Sequence, residues 1–484
     1  MKDYHDHYIK GDILLLSDVF ETFRDMAMNT YHLDPAQYYS LPGYSWDAML
    51  RFTKVKIELI TDPDMYQMVE LGIRGGICQI RKRFSEANHP KMDNLDPSKP
   101  TKILIYQDAN ALYAWAMMNS LPLRNFTWAS NTVDYSSVGE DSSYCYILEV
   151  DLSYPKHLHN SQSDYPLAVE HLDITNDMLS PYQRKYFPEQ KLVPNLNDKK
   201  RYVVHYQNLQ LFESLGLKVE KVHQVIQFGQ SPWMKPYIDL NIELRKQAVR
   251  NGDKVGKDLF KLFNNAIFGK TCENIRKHIN FEMVTKRKHA LKRIAKLYFK
   301  SCKVFRPDLV GFHMLKPVLE LNRPILIGFT VLDLSEKLTY DFHYNTWMKK
   351  FPHSKLLSTD TDSLAYEVTG HDVYKGMREM EDEFDFSEYP KDHDLYSTKN
   401  TKVCGKFKDE CHGQLMLKFI GGRPKLYCFE YERLAIIDYD DTENIIEVNK
   451  PPKTSWEEIV KSSKNVGKGI KGYVLKSLTT DGYE

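Results

Sequence analysis

Cysteine is scarce in this chain: seven among 484 residues, with no CxxC pair. A disulfide scaffold or a zinc ribbon is therefore not expected, and a reducing compartment fits. Long apolar runs are missing as well. The longest aliphatic stretches, such as Ile13-Leu14-Leu15-Leu16 and Ile325-Leu326-Ile327, fall far short of the roughly 20 residues that a membrane span requires. The opening MKDYHDHYIKGD holds no apolar signal core, so no membrane partner and no targeting segment is expected, and the location is expected to be intracellular. An excess of one charge is absent too, since 66 Lys and Arg face 65 Asp and Glu for a net +1. That balance argues against a uniformly basic polyanion binder. What is abundant is core-forming material: 42% of the residues are hydrophobic, enough for about two to four domains without dominant disorder.

Apolar residues Ile9, Ile13, Leu16, Val19, Phe20 and Phe23 recur at helical spacing and predict one amphipathic helix over 8–31. Pro35, Pro42 and Gly43 predict a loop over 34–50, and the Tyr/Trp-rich segment 31–52 reads as an interdomain packing patch. Further helices are expected over about 61–72, 111–119, 235–250 and 255–270. Lys102 to Gln107 forms a compact apolar strand, residues 201–229 read as a strand, a helix and a strand pair, and 355–368 alternate like a hairpin. The end, 461–475, is basic and turn-rich. Residues 270–303 hold eleven Lys and Arg against Glu273 and Glu282, offset by an acidic run at 379–388. That segment is either a solvated helix face or a polyanion contact.

Three short segments carry chemistry. In Ser358-Thr359-Asp360-Thr361-Asp362-Ser363, strand alternation would put Asp360 and Asp362 on one face. Two adjacent carboxylates repel, and a divalent cation with a taste for hard oxygen, such as Mg²⁺, would relieve them; a solvated turn is the plain alternative. Asp108 ends the strand KILIYQ just before a helix, which suits a metal ligand or a helix cap. On a helix, Lys261, Asn265 and Phe268 share one face, with Gly269 beside the ring; an ordinary amphipathic helix would show the same spacing. Cys404, Cys411 and His412 lack a fourth partner, so zinc is not expected.

Taken in order, Asp-x3-Leu-Tyr at 108–113, Lys-x3-Asn-Ala-x-Phe-Gly at 261–269 and Asp-Thr-Asp-Ser at 360–363 resemble the motifs of family B DNA polymerases. Arg74-Gly75-Gly76 resembles the Tyr-x-Gly-Gly loop of that family, with Ile73 for Tyr, and Lys425-Leu426-Tyr427 its Lys-x-Tyr motif. The resemblance covers nearly the whole chain and runs to the protein-primed subgroup of Maverick/Polinton-type elements, viruses and linear plasmids. It implies an α+β right-hand fold with an antiparallel-sheet palm and helical fingers. It also implies a remnant of an RNase H-like exonuclease domain in front and a partial thumb behind.

The implied parts are 1–60 exonuclease remnant and linker, 61–234 first part of the palm, 235–275 fingers, 276–325 basic insertion, 326–435 second part of the palm and 436–484 start of the thumb. The implied reaction is template-directed addition of dNTPs to a primer 3′-hydroxyl. Asp108 and Asp362, with Asp360 beside them, would hold two Mg²⁺ ions. Tyr113, Arg245, Lys261, Asn265, Phe268 and Gly269 would meet the nucleotide. Arg74, Gly75, Gly76, Lys425, Tyr427 and the insertion's Lys286, Arg287 and Lys288 would meet primer-template DNA. A terminal protein serving as primer is implied by the subgroup alone, as is a location in the nucleus or wherever such an element replicates.

Several positions depart from the family patterns. Ala111 and Ala114 stand for Ser and Pro, Ala266 and Phe268 for Ser and Tyr, and Ser358 for Tyr. None removes a metal ligand. Tyr8 and Asp12 resemble the last proofreading motif, Tyr-x3-Asp, while the one Asp-x-Glu, Asp441-Thr442-Glu443, lies far downstream. Exonuclease activity is therefore not expected. The rivals are a non-catalytic DNA-binding relic of a transposon and another two-metal nucleotidyltransferase such as a reverse transcriptase.

Overall fold

The computed structural model describes residues 2–92, 94–185, 190–439, 445–447, 456–468, 470–472 and 475. Two compact units share them: Met1–Tyr66 with Asp239–Gly328, and Gln67–Ile238 with Phe329–Glu484.

The second unit is built on an antiparallel sheet with ten strands among the described residues: β1 (Cys78–Ile80), β2 (Phe84–Glu86), β3 (Lys102–Ala109), β4 (Lys355–Asp360), β5 (Ser363–Thr369), β6 (Phe407–Asp409), β7 (Met416–Arg423), β8 (Leu426–Tyr439), β9 (Ile445–Glu447) and β10 (Trp456–Gly467). The main order is β1-β4-β5-β3-β7-β8-β9, with β6 also on β3, β2 on β7 and β10 on β8. Strand β3 is central because Ile103 to Tyr106 are all buried, so both faces are covered. The sequence suggests turns over 461–475, but most of the front half of that segment lies in β10, paired with β8 from Leu426↔Gly467 to Ile437↔Trp456. Lys461 and Lys464 sit in a ladder in which β8 is the pairing partner.

A separate four-stranded antiparallel sheet runs in the order Leu121–Ala129, Lys218–Ser231, Tyr144–Ser153, Lys199–His205. Its Lys218–Ser231 strand is one element of 14 residues where the sequence suggests a pair. The helix Ile325–Asp341 continues through a wider π-helical turn, Phe342–Trp347, into Lys350.

In the first unit, Lys2–Tyr31 is one helix, longer than the expected 8–31. Residues expected to form a loop contain the helix Leu41–Thr53. Pro42 and Gly43 fall in its first turn, where a missing backbone N–H breaks no helical bond. The aromatic segment packs inside this unit. Tyr31 and Tyr44 set their rings 5.5 and 5.7 Å from Phe263 of the helix Lys254–Thr271. Tyr31 also donates to Asn241 Oδ1, and Asn241 Nδ2 donates to Asn264 Oδ1 at 2.7 Å. The basic run is not one solvated helix. It folds as a three-stranded sheet, Asn280–Val284, Leu309–Met314 and Phe299–Arg306 with Leu309–Met314 in the middle, and a helix Arg287–Ile294. That helix places Ala290 against Val284, Phe312 and Met314.

Candidate functional site

Asp108 is the last residue but one of β3, opposite Ser363 of β5 on one side and Lys408 of β6 on the other. Strand β4 stops at Asp360, and the chain turns through Thr361 and Asp362. The Asp362 N–H donates to the Asp360 carbonyl at 2.8 Å, and the Ala109 N–H donates to the Asp362 carbonyl at 2.8 Å. Alternation along one strand therefore does not bring the two aspartates together, as the sequence suggests. The hairpin tip does, and both line one open cleft of about 770 Å³ with Asp108, Tyr113 and Glu410.

The tip holds an unusual backbone. Thr361 has φ +67°, a region that β-branched residues rarely enter. Two neighbours fix it. Its N–H donates to the Ile77 carbonyl at 2.8 Å, and Gly76 lies so close that a Cβ there would come within 2.2 Å of Thr361 Cγ2. The glycine is required by the protein's own hairpin.

Four carboxylates gather at this cleft, and three lysines face them. Lys425 binds Asp360, Lys464 binds Glu410 at 2.5 Å, and Lys408 stands 3.2 Å from Glu410 and 3.7 Å from Asp108. Burial pushes the Asp108 carboxyl up to about 7, helped by the charges of Asp362 and Glu410 and opposed by Lys408 and Lys464. Burial also raises Asp362, with Asp360 and Glu410 adding to it. Burial acts the same way on Glu410, but the bond from Lys464 and the charge of Lys408 outweigh it and hold that carboxyl below its usual range. Asp108 and Asp362 are thus the two carboxylates left in electrostatic difficulty, and a divalent cation on their oxygens would remove it. Among the described residues, no three His, Cys, Asp or Glu side chains stand close enough as they are to hold a metal ion.

Behind the carboxylates runs a chain of hydroxyls. Tyr106 Oη hydrogen-bonds Ser363 Oγ and Tyr427 Oη, each at 2.8 Å. Tyr113, in the helix Leu112–Met118, lines the cleft from the β3 side after Ala111 turns the chain with φ +46°.

Other expected site residues are placed differently. Arg74 is not a surface cation. It is 7% exposed, donates to the Val203 carbonyl at 2.6 Å, stands 3.7 Å from Asp333 and lies 4.1 Å over the Tyr202 ring. A guanidinium so buried is turned away from the solvent in which a phosphate would meet it. Gly75, by contrast, has open space where a Cβ would be. Lys425 and Tyr427 reach the cleft, but through Asp360 and Tyr106.

Lys261 and Asn265 lie on the exposed side of the helix Lys254–Thr271, with Phe268 half-buried and Gly269 open. Phe260, Phe263, Asn264 and Ile267 fill its buried side. Arg245 is half-buried on the helix Lys235–Arg250, and Lys286, Arg287 and Lys288 are exposed. Tyr8 and Asp12 are exposed on Lys2–Tyr31. Asp441-Thr442-Glu443 lies outside the described residues. Sequence reasoning missed Glu410, Lys408 and Lys464. Their placement depends on β6 and β10 pairing with distant strands, and no local pattern marks them.

The fold resembles solved structures of Phi29 DNA polymerase. An orthorhombic crystal form gives a TM-score of 0.55 at 12% identity, covering 92% of this chain and 63% of that one. The complex with primer-template DNA gives 0.56 at 14% identity, covering 99% and 67%. The ternary complex with primer-template DNA and incoming nucleotide substrates gives 0.51 at 14% identity. The chain thus spans about two thirds of the length of these polymerases. No curated protein matches it. The family model "DNA polymerase type B, organellar and viral" matches residues 1–306, which include Asp108 and the helix Lys254–Thr271. The hairpin with Asp360 and Asp362 lies beyond that match, yet folds onto the same strand as Asp108. The chain belongs to the type B DNA polymerases, organellar and viral.

Proposed function

We propose that this chain is a DNA-directed DNA polymerase that adds deoxynucleotides to a primer 3′-hydroxyl. The observation that carries the reading is the pair Asp108, near the end of β3, and Asp362, at the β4–β5 turn, which line one cleft with both carboxyls raised by burial and by neighbouring carboxylates. These oxygens would hold two Mg²⁺ ions, with Asp360 beside them. The ions would supply activation of the 3′-hydroxyl and neutralisation of charge in the phosphoryl transfer.

The rest of the work falls to this chain's side chains. Tyr113 sits at the cleft wall, where its ring would pack on the incoming sugar and exclude a 2′-hydroxyl. Lys425 holds Asp360 in place, and the hydroxyl chain through Tyr106 and Tyr427 fixes the floor. Lys261 and Arg245 supply cations for the triphosphate, while Asn265 and Phe268 line the base pair. Lys286, Arg287 and Lys288 contact backbone phosphates. The six-part division into exonuclease remnant, split palm, fingers, insertion and thumb belongs to this reading, as do priming by a terminal protein and a role in copying a mobile element. Tyr8 and Asp12 receive no catalytic part, and proofreading is not assigned.

Primer extension with Mg²⁺ and dNTPs tests the proposal. Wild-type protein extends the primer, and Asp362→Asn lowers the rate on the order of 10³-fold or more, the scale of several kcal/mol of lost charge stabilisation. Extension that survives Asp362→Asn sinks the metal-ligand assignment. A folded wild type that never extends favours a DNA-binding relic.

A further inference from the structure

Strand β6 is short, and its pairing with β3 fixes where its side chains point. Phe407 and Asp409 are almost fully buried. Asp409 is held by the N–H groups of Cys411 and Gly413, each at 2.9 Å. Lys408 lies between them, so strand alternation turns it to the other face. There it is the cross-strand partner of Asp108. Its ammonium stands 3.7 Å from Asp108 Oδ1 and 3.2 Å from Glu410 Oε1.

The two acids do not depend on Lys408 equally. Glu410 has a second lysine, because Lys464 binds its other oxygen, Oε2. Asp360 has Lys425. Among the described residues, Lys408 is the only cation in ion-pair range of Asp108. Asp108 is also one of the two carboxyls that burial and neighbouring acids push up.

Charge shows what the three lysines do. With every group ionised, the four carboxylates of the cleft against Lys408, Lys425 and Lys464 leave one negative charge. The lysines thus supply most of the neutralisation that metal ions would supply. Two divalent cations added to that set would reverse its sign. A cation on Asp108 would also meet the Lys408 ammonium at close range, where like charges repel. The backbone of Lys408 is fixed by β3, so only its side chain can give way. That side chain is 27% exposed and keeps Glu410 as a partner, so it has somewhere to go.

We propose that Lys408 is a resident counter-ion of Asp108, which a divalent cation must displace, so that this lysine sets how much cation the cleft needs. The proposal rests on the reading in which Asp108 and Asp362 hold the metal. Lys408 is a positioning residue here, acting through Asp108. A lysine that merely braced Asp108 for the metal would have the opposite effect when removed.

The test is Mn²⁺ binding to the full chain, read from the free-ion electron paramagnetic resonance signal without DNA or nucleotide. Lys408→Met keeps the length of the side chain and removes its charge. It is expected to bind Mn²⁺ at least about tenfold more tightly than wild type. Lys408→Arg keeps the charge and is expected to stay near wild type. Scanning fluorimetry is expected to show the Mn²⁺-induced rise in Tm at lower concentrations in Lys408→Met. A cooperative melt in EDTA checks that the variant folds, and Lys408→Gln removes the charge in a second way if it does not. Unchanged or weaker Mn²⁺ affinity in the neutral variants overturns the proposal if Asp362→Asn weakens binding by wild type. Equal tightening in Lys408→Arg overturns it too, since charge would not be the cause. If Asp362→Asn leaves wild-type Mn²⁺ binding untouched, the cation lies elsewhere, and the metal reading fails together with this proposal.

Discussion

Burial raises the Asp108 carboxyl to about 7 from an ordinary value of 3.8. The folded chain therefore binds more protons at this group than the unfolded chain between about pH 4 and pH 7. Its contribution to stability falls as the pH rises through that window. Asp362, raised in the same direction, adds to the trend. Asp108→Asn removes the charge and keeps the shape. Without divalent cations, the variant is expected to melt at a higher temperature than wild type at pH 8 and at a similar temperature at pH 4. Adding Mg²⁺ at pH 8 is expected to raise the wild-type Tm more than the variant's. Scanning fluorimetry over that pH range checks all three outcomes, and an unchanged difference between pH 4 and pH 8 would show that Asp108 is not under strain.

Gly75 and Gly76 offer a second contrast at the scale of one residue. A Cβ at Gly76 would strike Thr361, whereas one at Gly75 meets open space. Gly76→Ala is expected to destabilise the chain by about 1–3 kcal/mol, as overpacking does, and to reduce extension by shifting the Asp362 turn. Gly75→Ala is expected to stay within about 0.5 kcal/mol of wild type. Urea unfolding of both variants beside a primer-extension assay reads the difference.

At the scale of elements, Arg74 joins the Gly75-Gly76 loop to the helix Ile325–Asp341. It stands beside Asp333, which also accepts the His205 N–H at 2.8 Å. Burial raises both Asp333 and Glu336, and Arg74 opposes the rise. Arg74→Met leaves that buried acid pair without its cation and is expected to cost about 3–5 kcal/mol. The salt slope of DNA binding should not change, because a buried Arg74 neutralises no phosphate. A lowered slope would return Arg74 to the DNA.

This element also shows what the sequence could and could not reveal. The strand ending at Asp108 and the hairpin with Asp360 and Asp362 were legible, since apolar runs and turn residues are local signals. The burial of Arg74 was not, because its partners, Val203 and Asp333, are 129 and 259 positions away along the chain. The helix at Leu41–Thr53 was missed for a different reason: Pro42 reads as a breaker unless its place in the first turn is known. Glu410 carried no signal at all until β6 paired with β3.

At the scale of the molecule, the net charge of +1 is an average over opposite local fields. Lys286, Arg287 and Lys288 belong to one compact unit and the cleft's carboxylates to the other. Capture of DNA and chemistry should therefore separate under mutation. Neutralising Lys286, Arg287 and Lys288 together is expected to weaken duplex binding and to lower its salt slope by up to about 3, close to one for each phosphate no longer neutralised. Single-nucleotide incorporation at saturating primer-template should remain near the wild-type rate, because no group at the cleft has changed. Asp362→Asn should do the reverse, abolishing incorporation while the DNA affinity measured without divalent cations holds or rises, since a negative charge has left the cleft. Filter binding across a salt series, paired with single-turnover kinetics on the same preparations, measures both arms. If the triple variant kept the wild-type salt slope, the basic segment would not meet phosphates through these residues. If it failed to incorporate at saturating DNA, the two functions would not be separable, and the basic segment would act on the chemistry itself.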